Sequence, residues 1–212
     1  MNVAESEQTR DQAGFRKGYS CEDHLLVITL VAEMHLHSGS ALWIAALDFK
    51  KAFDSVSHAS MWDSMLEHGV HENYVDVMSR LYAQQTAEVQ CCQRSKKFAI
   101  QRGTKQGDPI SPALFNAVLE RCLRELVGKW KWQGYGVQLC IGEEDQLQNL
   151  WFADDVLLIG KSLLEVTNML KDVKEQVGMV GLELHMGKTK ILSNGFGPDV
   201  EKTEVDILGQ KV

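Results

Sequence analysis

Asp154 and Asp155 stand side by side in the run Asn149-Leu150-Trp151-Phe152-Ala153-Asp154-Asp155-Val156-Leu157-Leu158-Ile159-Gly160, with apolar residues on both sides. Carboxylates in apolar company are costly unless something compensates them. Two apolar runs separated only by Ala153, Asp154 and Asp155 can fold back as a tight hairpin, which puts the acids at its tip. Asp48 ends another apolar run, Leu42 to Leu47. If the two strands are neighbours, three carboxylates converge, repel and raise one another's pKa. Divalent cations remove that penalty. Mg²⁺ takes oxygen ligands and keeps sites for water and substrate phosphates. Two such ions activate an attacking oxygen and stabilise a leaving one in phosphoryl transfer. Aspartate is also common in turns, so the dipeptide alone defines no site.

The elements that must hold these residues follow from pattern. Asp23 is the expected cap of a helix through Leu25, Ile28 and Val31 that ends near Ser38-Gly39. Leu42 to Leu47 has the length of a buried strand. Ser57 is the expected cap of the next helix, with Met61, Met65 and Leu66 on one face, closed by Gly69. Glu72 to Gln84 reads as an amphipathic helix with Val75, Met78, Leu81 and Tyr82 inward. Thr86 to Cys91 and Phe98 to Arg102 read as strands joined by a basic turn. Pro109 and Pro112 forbid a helix before Pro112 but suit a first turn, with Ser111 as expected N-cap and Leu114, Val118, Leu119, Cys122 and Leu126 on one face. Val137 to Ile141 and Gln148 to Phe152 read as strands around the acidic turn Glu143-Glu144-Asp145. Val156 to Ile159 is the next strand, Ser162 caps a long helix to Val180, and Ile191-Leu192 opens a short strand. This alternation indicates a mixed sheet with helices packed against it.

Composition bounds the function. The 212 residues suffice for a real core, and 44% apolar and 24% charged residues are ordinary for a soluble globular domain. No apolar run is long enough for a membrane span, and no targeting signal is visible in the polar N-terminus. Cys21, Cys91, Cys92, Cys122 and Cys140 form no C-x-x-C pair, which suggests neither a zinc site nor a disulfide framework and fits a reducing intracellular compartment, nucleus or cytoplasm. His35 and His37 alone are too few for a metal centre. The net charge of −7 argues against simple electrostatic nucleic-acid binding, but Arg94, Lys96, Lys97, Arg102 and Lys105 make one stretch with five cations and no acid. On charge alone that stretch is a solvated hairpin rim; it is also compatible with phosphate contacts.

Several segments together resemble one family. Phe152-Ala153-Asp154-Asp155 resembles the aromatic-x-Asp-Asp box of reverse transcriptases, and Ala46 to Val56 their first catalytic motif. Arg102-Gly103-Thr104-Lys105-Gln106-Gly107-Asp108-Pro109-Ile110-Ser111-Pro112-Ala113-Leu114-Phe115-Asn116 resembles their template- and nucleotide-positioning motif, in the wording of non-long-terminal-repeat (LINE-type) retrotransposons. Gly181 to Leu184 with Lys188 to Lys190, Gln12 to Ser20, and Ile207-Leu208-Gly209 resemble the following motif, the fingers segment and the start of the primer grip, all in family order.

The resemblance implies an α+β fold: a reverse-transcriptase-like palm with a ferredoxin-like sheet and packed helices, plus partial fingers. It implies a single domain over 1–212, with fingers at about 1–40 and 86–105, palm elsewhere and no thumb. It implies an RNA-directed DNA polymerase using two Mg²⁺ ions, with Mn²⁺ as substitute, on an RNA template, a DNA primer and a dNTP. Asp48, Asp154, Asp155 and the Phe49 carbonyl would hold the metals. Phe53 would exclude a 2′-hydroxyl, Gln106 and Gly107 would lie beside the nucleotide, Arg16 would meet the triphosphate, and Lys188 would protonate pyrophosphate. Arg94, Lys96, Lys97, Arg102 and Lys105 would contact template or primer. Departures are His185, where the family often has asparagine, and Cys21-Glu22 after Ser20. With no thumb, endonuclease or zinc-knuckle segment, the chain reads as a piece of a larger polyprotein that carries endonuclease and thumb, or as a degenerate copy. Rival readings are a folded fragment that does not polymerise and another polymerase branch, such as an intron maturase or telomerase.

Overall fold

In the computed structural model, residues 11–211 are described, apart from 17, 106, 140–145, 202–204, 208 and 209. The centre is a four-stranded antiparallel sheet of β1 (Trp43–Leu47), β6 (Asn149–Phe152), β7 (Asp155–Gly160) and β8 (Lys190–Ser193), in the order β6-β7-β1-β8. The small strands β2 (Thr86–Ala87) and β3 (Phe98–Ala99), β4 (Val137–Gln138) and β5 (Gln146–Leu147), and β9 (Asp206–Ile207) and β10 (Gln210–Lys211) pair two by two. The helices are α1 (Cys21–Ser38), α2 (Ala52–Ser55), α3 (His58–Glu67), α4 (Glu72–Ala83), α5 (Ser111–Gln133) and α6 (Leu163–Met179). One core joins the sheet to α3, α5 and α6. Trp130, Trp151 and Phe115 are fully buried in it, each contributing roughly 1.5–3 kcal/mol by removal from water.

The apolar periodicity of α5 and α6 is realised: Leu114, Val118, Leu119, Cys122 and Leu126, and Val166, Met169, Leu170, Val173 and Val177, are all buried. Burial pushes the Cys122 thiol up to about 12, so it acts as a small apolar group. Ser57 and Ser162 cap their helices as expected. Four expectations need correction. Ser20, not Asp23, is the cap of α1; the two form a capping box in which Asp23 accepts from the Ser20 backbone N–H at 2.8 Å. Ser111 is the first residue of α5 rather than its cap, because the Asp108 side chain and carbonyl already fold residues 108–111 into a turn. Leu66 and Leu81 point outward, since Met61 and Val75 with Tyr82 carry the buried contacts of α3 and α4. The strands beside the basic turn are only two residues each. The acidic turn Glu143-Glu144-Asp145 lies outside the described residues.

The segment from Asp11 to Gly14 lies along the outer edge of β6. Ala13 N–H donates to the Trp151 carbonyl at 3.1 Å and Trp151 N–H to the Asp11 carbonyl at 2.9 Å, a parallel bridge centred on Gln12 and Trp151. Burial, with Glu120 adding, pushes the Asp11 carboxyl up to about 6. The folded chain therefore holds this proton more tightly than the unfolded one does. Stability from this group is fully present below about pH 4 and is lost as pH rises through 6. Asp11→Asn is expected to raise the melting point at pH 7.5 and not at pH 4, by up to about 3 kcal/mol of stability. Thermal melts at both pH values check this.

Candidate active site

Asp48 follows the last residue of β1. The register Leu47↔Val156 sets that end of β1 beside the start of β7. Phe152 pairs with Asp155 across a two-residue turn, so Ala153 and Asp154 form the hairpin tip and Asp155 is the first residue of β7. Ala153 has φ 58, a left-handed backbone that a non-glycine residue seldom adopts. The three carboxylates thus come together as the sequence indicates. The Asp155 carboxyl is held above the ordinary range by burial first, then by the charges of Asp154 and Asp48.

The backbone of Asp48 is fixed from the far side. His185 N–H donates to the Asp48 carbonyl at 2.7 Å and Lys50 N–H to the Glu183 carbonyl at 2.8 Å. The Lys188 ammonium lies 3.7 Å from Asp48 Oδ2, and Lys50 pairs with Glu183. A cavity of about 600 Å³ opens here, with Asp48, Lys51, Arg102, Glu183, His185 and Lys188 among its lining. A second, of about 540 Å³, is lined by Phe53, Thr104, Gly107, Asp108 and Asp154, and shares Phe49, Lys51 and Asp54 with the first.

Phe53 stacks on Phe115 of α5, ring centroids 4.5 Å apart. Its carbonyl is bonded by Thr104, whose N–H donates at 2.6 Å and hydroxyl at 3.3 Å. Gly103 N–H donates to the Val56 carbonyl at 2.8 Å, and the Gly103 carbonyl lies 3.0 Å from His58 Nε2. Residues 102–104 therefore strap α2 down from above. Gly103 has φ 83, and a Cβ there would stand 2.6 Å from the Asp54 carbonyl oxygen.

The five cations expected to act together are divided. Arg94, Lys96 and Lys97 are exposed between β2 and β3, where Arg94 lies 3.6 Å from Glu88. Arg102 lines the first cavity instead. The Lys105 carbonyl accepts from Ser111 Oγ at 2.6 Å. Arg16 is not among the residues lining either cavity; its guanidinium covers the Tyr19 ring at 4.2 Å and donates to the Gln12 carbonyl at 3.3 Å. Gln106, Leu208 and Gly209 lie outside the described residues. Lys51, Asp54 and Glu183 join the cavities without having been singled out; Lys51 and Asp54 stand in the Asp48 motif, but only the fold turns them inward.

Among the described residues, no group of three histidine, cysteine, aspartate or glutamate side chains is arranged to hold an ion by itself. The carboxylate oxygens of Asp48, Asp154 and Asp155 are nonetheless the donor type that divalent cations take, and the charges of Asp154 and Asp48, which add to burial in raising the Asp155 pKa, are ones such ions would offset. No helix among the described residues is long and apolar enough to cross a membrane.

An antiparallel sheet backed by helices, with paired carboxylates on a hairpin tip beside a third on the next strand, defines the palm class of templated polymerases. Comparison with known proteins narrows this. A family model for reverse transcriptase (RNA-dependent DNA polymerase) matches residues 1–212, and the chain belongs to that family. It is 34% identical over 179 residues to the Retrovirus-related Pol polyprotein from type-2 retrotransposable element R2DM of Drosophila melanogaster, covering 84% of this chain and 16% of that protein. It is 32% identical over 184 residues to the Pol polyprotein from type-1 retrotransposable element R2 of Popillia japonica, covering 84% and 25%. The chain thus spans a quarter or less of these relatives, which are Pol polyproteins of the non-long-terminal-repeat kind. Among solved structures, apo telomerase from Candida tropicalis matches with TM-score 0.63 at 14% identity, covering 100% of this chain and 37% of that one. Telomerase from Candida albicans in complex with a telomeric RNA fragment matches with TM-score 0.63 at 13% identity, covering 91% and 32%. Those two likenesses establish a shared fold. The relatives in sequence favour the retrotransposon branch over telomerase.

Proposed function

We propose that this chain is the catalytic core of an RNA-directed DNA polymerase that extends a DNA primer along an RNA template. The carrying observation is that Asp48 and Asp154 line two adjoining cavities that also hold Phe53, Gly107 and several cations, with Asp155 close enough to feel the charges of both. The primer 3′-oxygen bonds to the α-phosphorus of a dNTP while the bond from that phosphorus to the bridging oxygen breaks and pyrophosphate leaves. Two divalent cations, Mg²⁺ or Mn²⁺, bound by Asp48, Asp154, Asp155 and the Phe49 carbonyl, would supply activation of the attacking oxygen and neutralisation of the leaving charge. Lys188, whose ammonium lies 3.7 Å from Asp48 Oδ2, gives pyrophosphate a proton. Arg102 and Lys51 face the same cavity and neutralise phosphate oxygens, a task a guanidinium performs bidentately. Arg16 reaches the triphosphate only if its segment moves toward the cavity. Gly107, at φ 84, lets the backbone approach the base.

Residues of about 1–40 and 86–105 serve as fingers and the remainder as palm. Arg94, Lys96, Lys97 and Lys105 contact template or primer, and endonuclease and thumb are supplied by the larger polyprotein. Primer extension on poly(rA)/oligo(dT) with Mg²⁺ or Mn²⁺, comparing the chain with Asp154→Asn, tests the reading. Synthesis that the substitution removes is expected. Equal synthesis by both proteins would refute it.

Phe53 presents a flat ring under the sugar and is held from behind by Phe115 and from above by Thr104. Phe53→Val is expected to lower discrimination against rNTPs by roughly one to two orders of magnitude, equivalent to about 1.4–2.8 kcal/mol. Phe115→Ala acts in the same direction but more weakly. Single-nucleotide incorporation with dTTP and UTP measures both.

A further inference from the structure

Gly14 does not have a positive φ, so its backbone conformation is open to any residue. What demands glycine is contact. A Cβ at this position would overlap the backbone nitrogen of Ala153 and stand 3.1 Å from both Ala153 Cα and the Phe152 carbonyl carbon. Gly14 therefore rests directly on the turn that carries Asp154 and Asp155.

Buried amides fix its height. Gly14 N–H donates to Gln12 Oε1 at 2.6 Å, and its carbonyl accepts from Asn116 Nδ2 at 2.9 Å. Gln12 is 0% and Asn116 2% exposed, so neither bond competes with solvent. Asn116 lies one and a half turns into α5, the helix that also seats Phe115 behind Phe53. The Gln12 carbonyl in turn accepts from Arg16. Gly14 is thus held between a rigid helix and the carboxylate turn, in the segment that carries Arg16.

We propose that Asn116 and Gly14 are positioning residues: together they press the Ala153 turn into its left-handed conformation and so set where Asp154 and Asp155 stand relative to Asp48. The inference rests on reading those carboxylates as a divalent-cation site. A two-residue hairpin turn takes a positive φ at its first position, which glycine meets freely and alanine only with strain. The close contact of Gly14 helps hold alanine at φ 58, and Asn116 prevents the N-terminal segment from lifting off.

The test is Mn²⁺ binding, followed by electron paramagnetic resonance in the presence of poly(rA)/oligo(dT) and a non-hydrolysable dTTP analogue. Gly14→Ala, Asn116→Ala, Asp154→Asn and Asp11→Asn are compared with the unaltered chain, with thermal melts in parallel. Gly14→Ala and Asn116→Ala are expected to weaken Mn²⁺ binding roughly 10–100-fold, as loss of an outer-shell partner does, in protein that is still folded. Asp11→Asn, in the same segment but facing Glu120, leaves binding unchanged. Binding that Asp154→Asn removes and that folded Gly14→Ala and Asn116→Ala both retain overturns the inference alone. Binding that Asp154→Asn does not alter overturns the carboxylate reading and this inference with it. If Gly14→Ala fails to fold, Asn116→Ala decides, because it removes one hydrogen bond and inserts nothing.

Discussion

Asp48→Asn is expected to abolish primer extension, by a factor of at least about 10³, or roughly 4 kcal/mol of transition-state stabilisation, while leaving the fold intact. The substitution keeps shape and removes charge. It loses the pairing with Lys188 across 3.7 Å, where Lys188 is largely exposed, and such a pair contributes roughly 0–1 kcal/mol. Against that it relieves repulsion on Asp155, whose carboxyl is raised in part by Asp48. The melting point should therefore stay level or rise. The Asp155 pKa should fall toward the ordinary range but not reach it, because burial is the larger cause. Loss of activity with unchanged or higher stability is the signature of a group kept for chemistry at the expense of the fold. Retained polymerisation by a folded Asp48→Asn protein would sink the assignment.

Gly103→Ala is expected to be strongly destabilising. Gly103 has φ 83, which an alanine adopts at a cost of about 1–2 kcal/mol. The added Cβ would also stand 2.6, 2.7 and 2.8 Å from the carbonyl oxygen, Cα and carbonyl carbon of Asp54. Those are backbone atoms and cannot swing aside. Either residues 102–104 lift or α2 shifts. Lifting breaks the bonds from Gly103 to Val56 and from Thr104 to Phe53. The total destabilisation should be on the order of 3–4 kcal/mol. In whatever fraction still folds, discrimination against rNTPs should fall as it does for Phe53→Val, since Phe53 has lost its tether. A melting point within a degree of the unaltered protein would show that the strap does not bear on α2.

The carboxylate geometry was legible because its signals are local. Apolar runs on either side of Ala153-Asp154-Asp155 fold back as that spacing allows, and the strand ending in Asp48 pairs with the second of them. Helix faces were legible where burial is one-sided, as along α5 and α6, and misleading at Leu66 and Leu81, where a periodic stripe is wider than the contact it makes. Ser111 was misassigned because the side chain that organises the preceding turn is Asp108. Contacts between distant segments left no local trace. Gly14 and Gly103 look like ordinary loop glycines until Ala153 and Asp54 are set against them. Arg102 belongs to a basic run in sequence, yet its bridge to Ser57 turns it toward Asp48.

The pairing of β1 with β7 and β8 also dictates when the site can exist. Trp43 is registered against Gly160 and Ser193, partners more than a hundred residues further along the chain. At about 5–20 residues per second, translation needs roughly 8–30 seconds to run from β1 to the end of β8. Until β7 has emerged the end of β1 has neither neighbour, and until His185 and Lys188 follow, Asp48 lacks both its backbone bond and its ammonium partner. The bed that holds Asp48 is therefore among the last parts of the sheet to be completed on the ribosome.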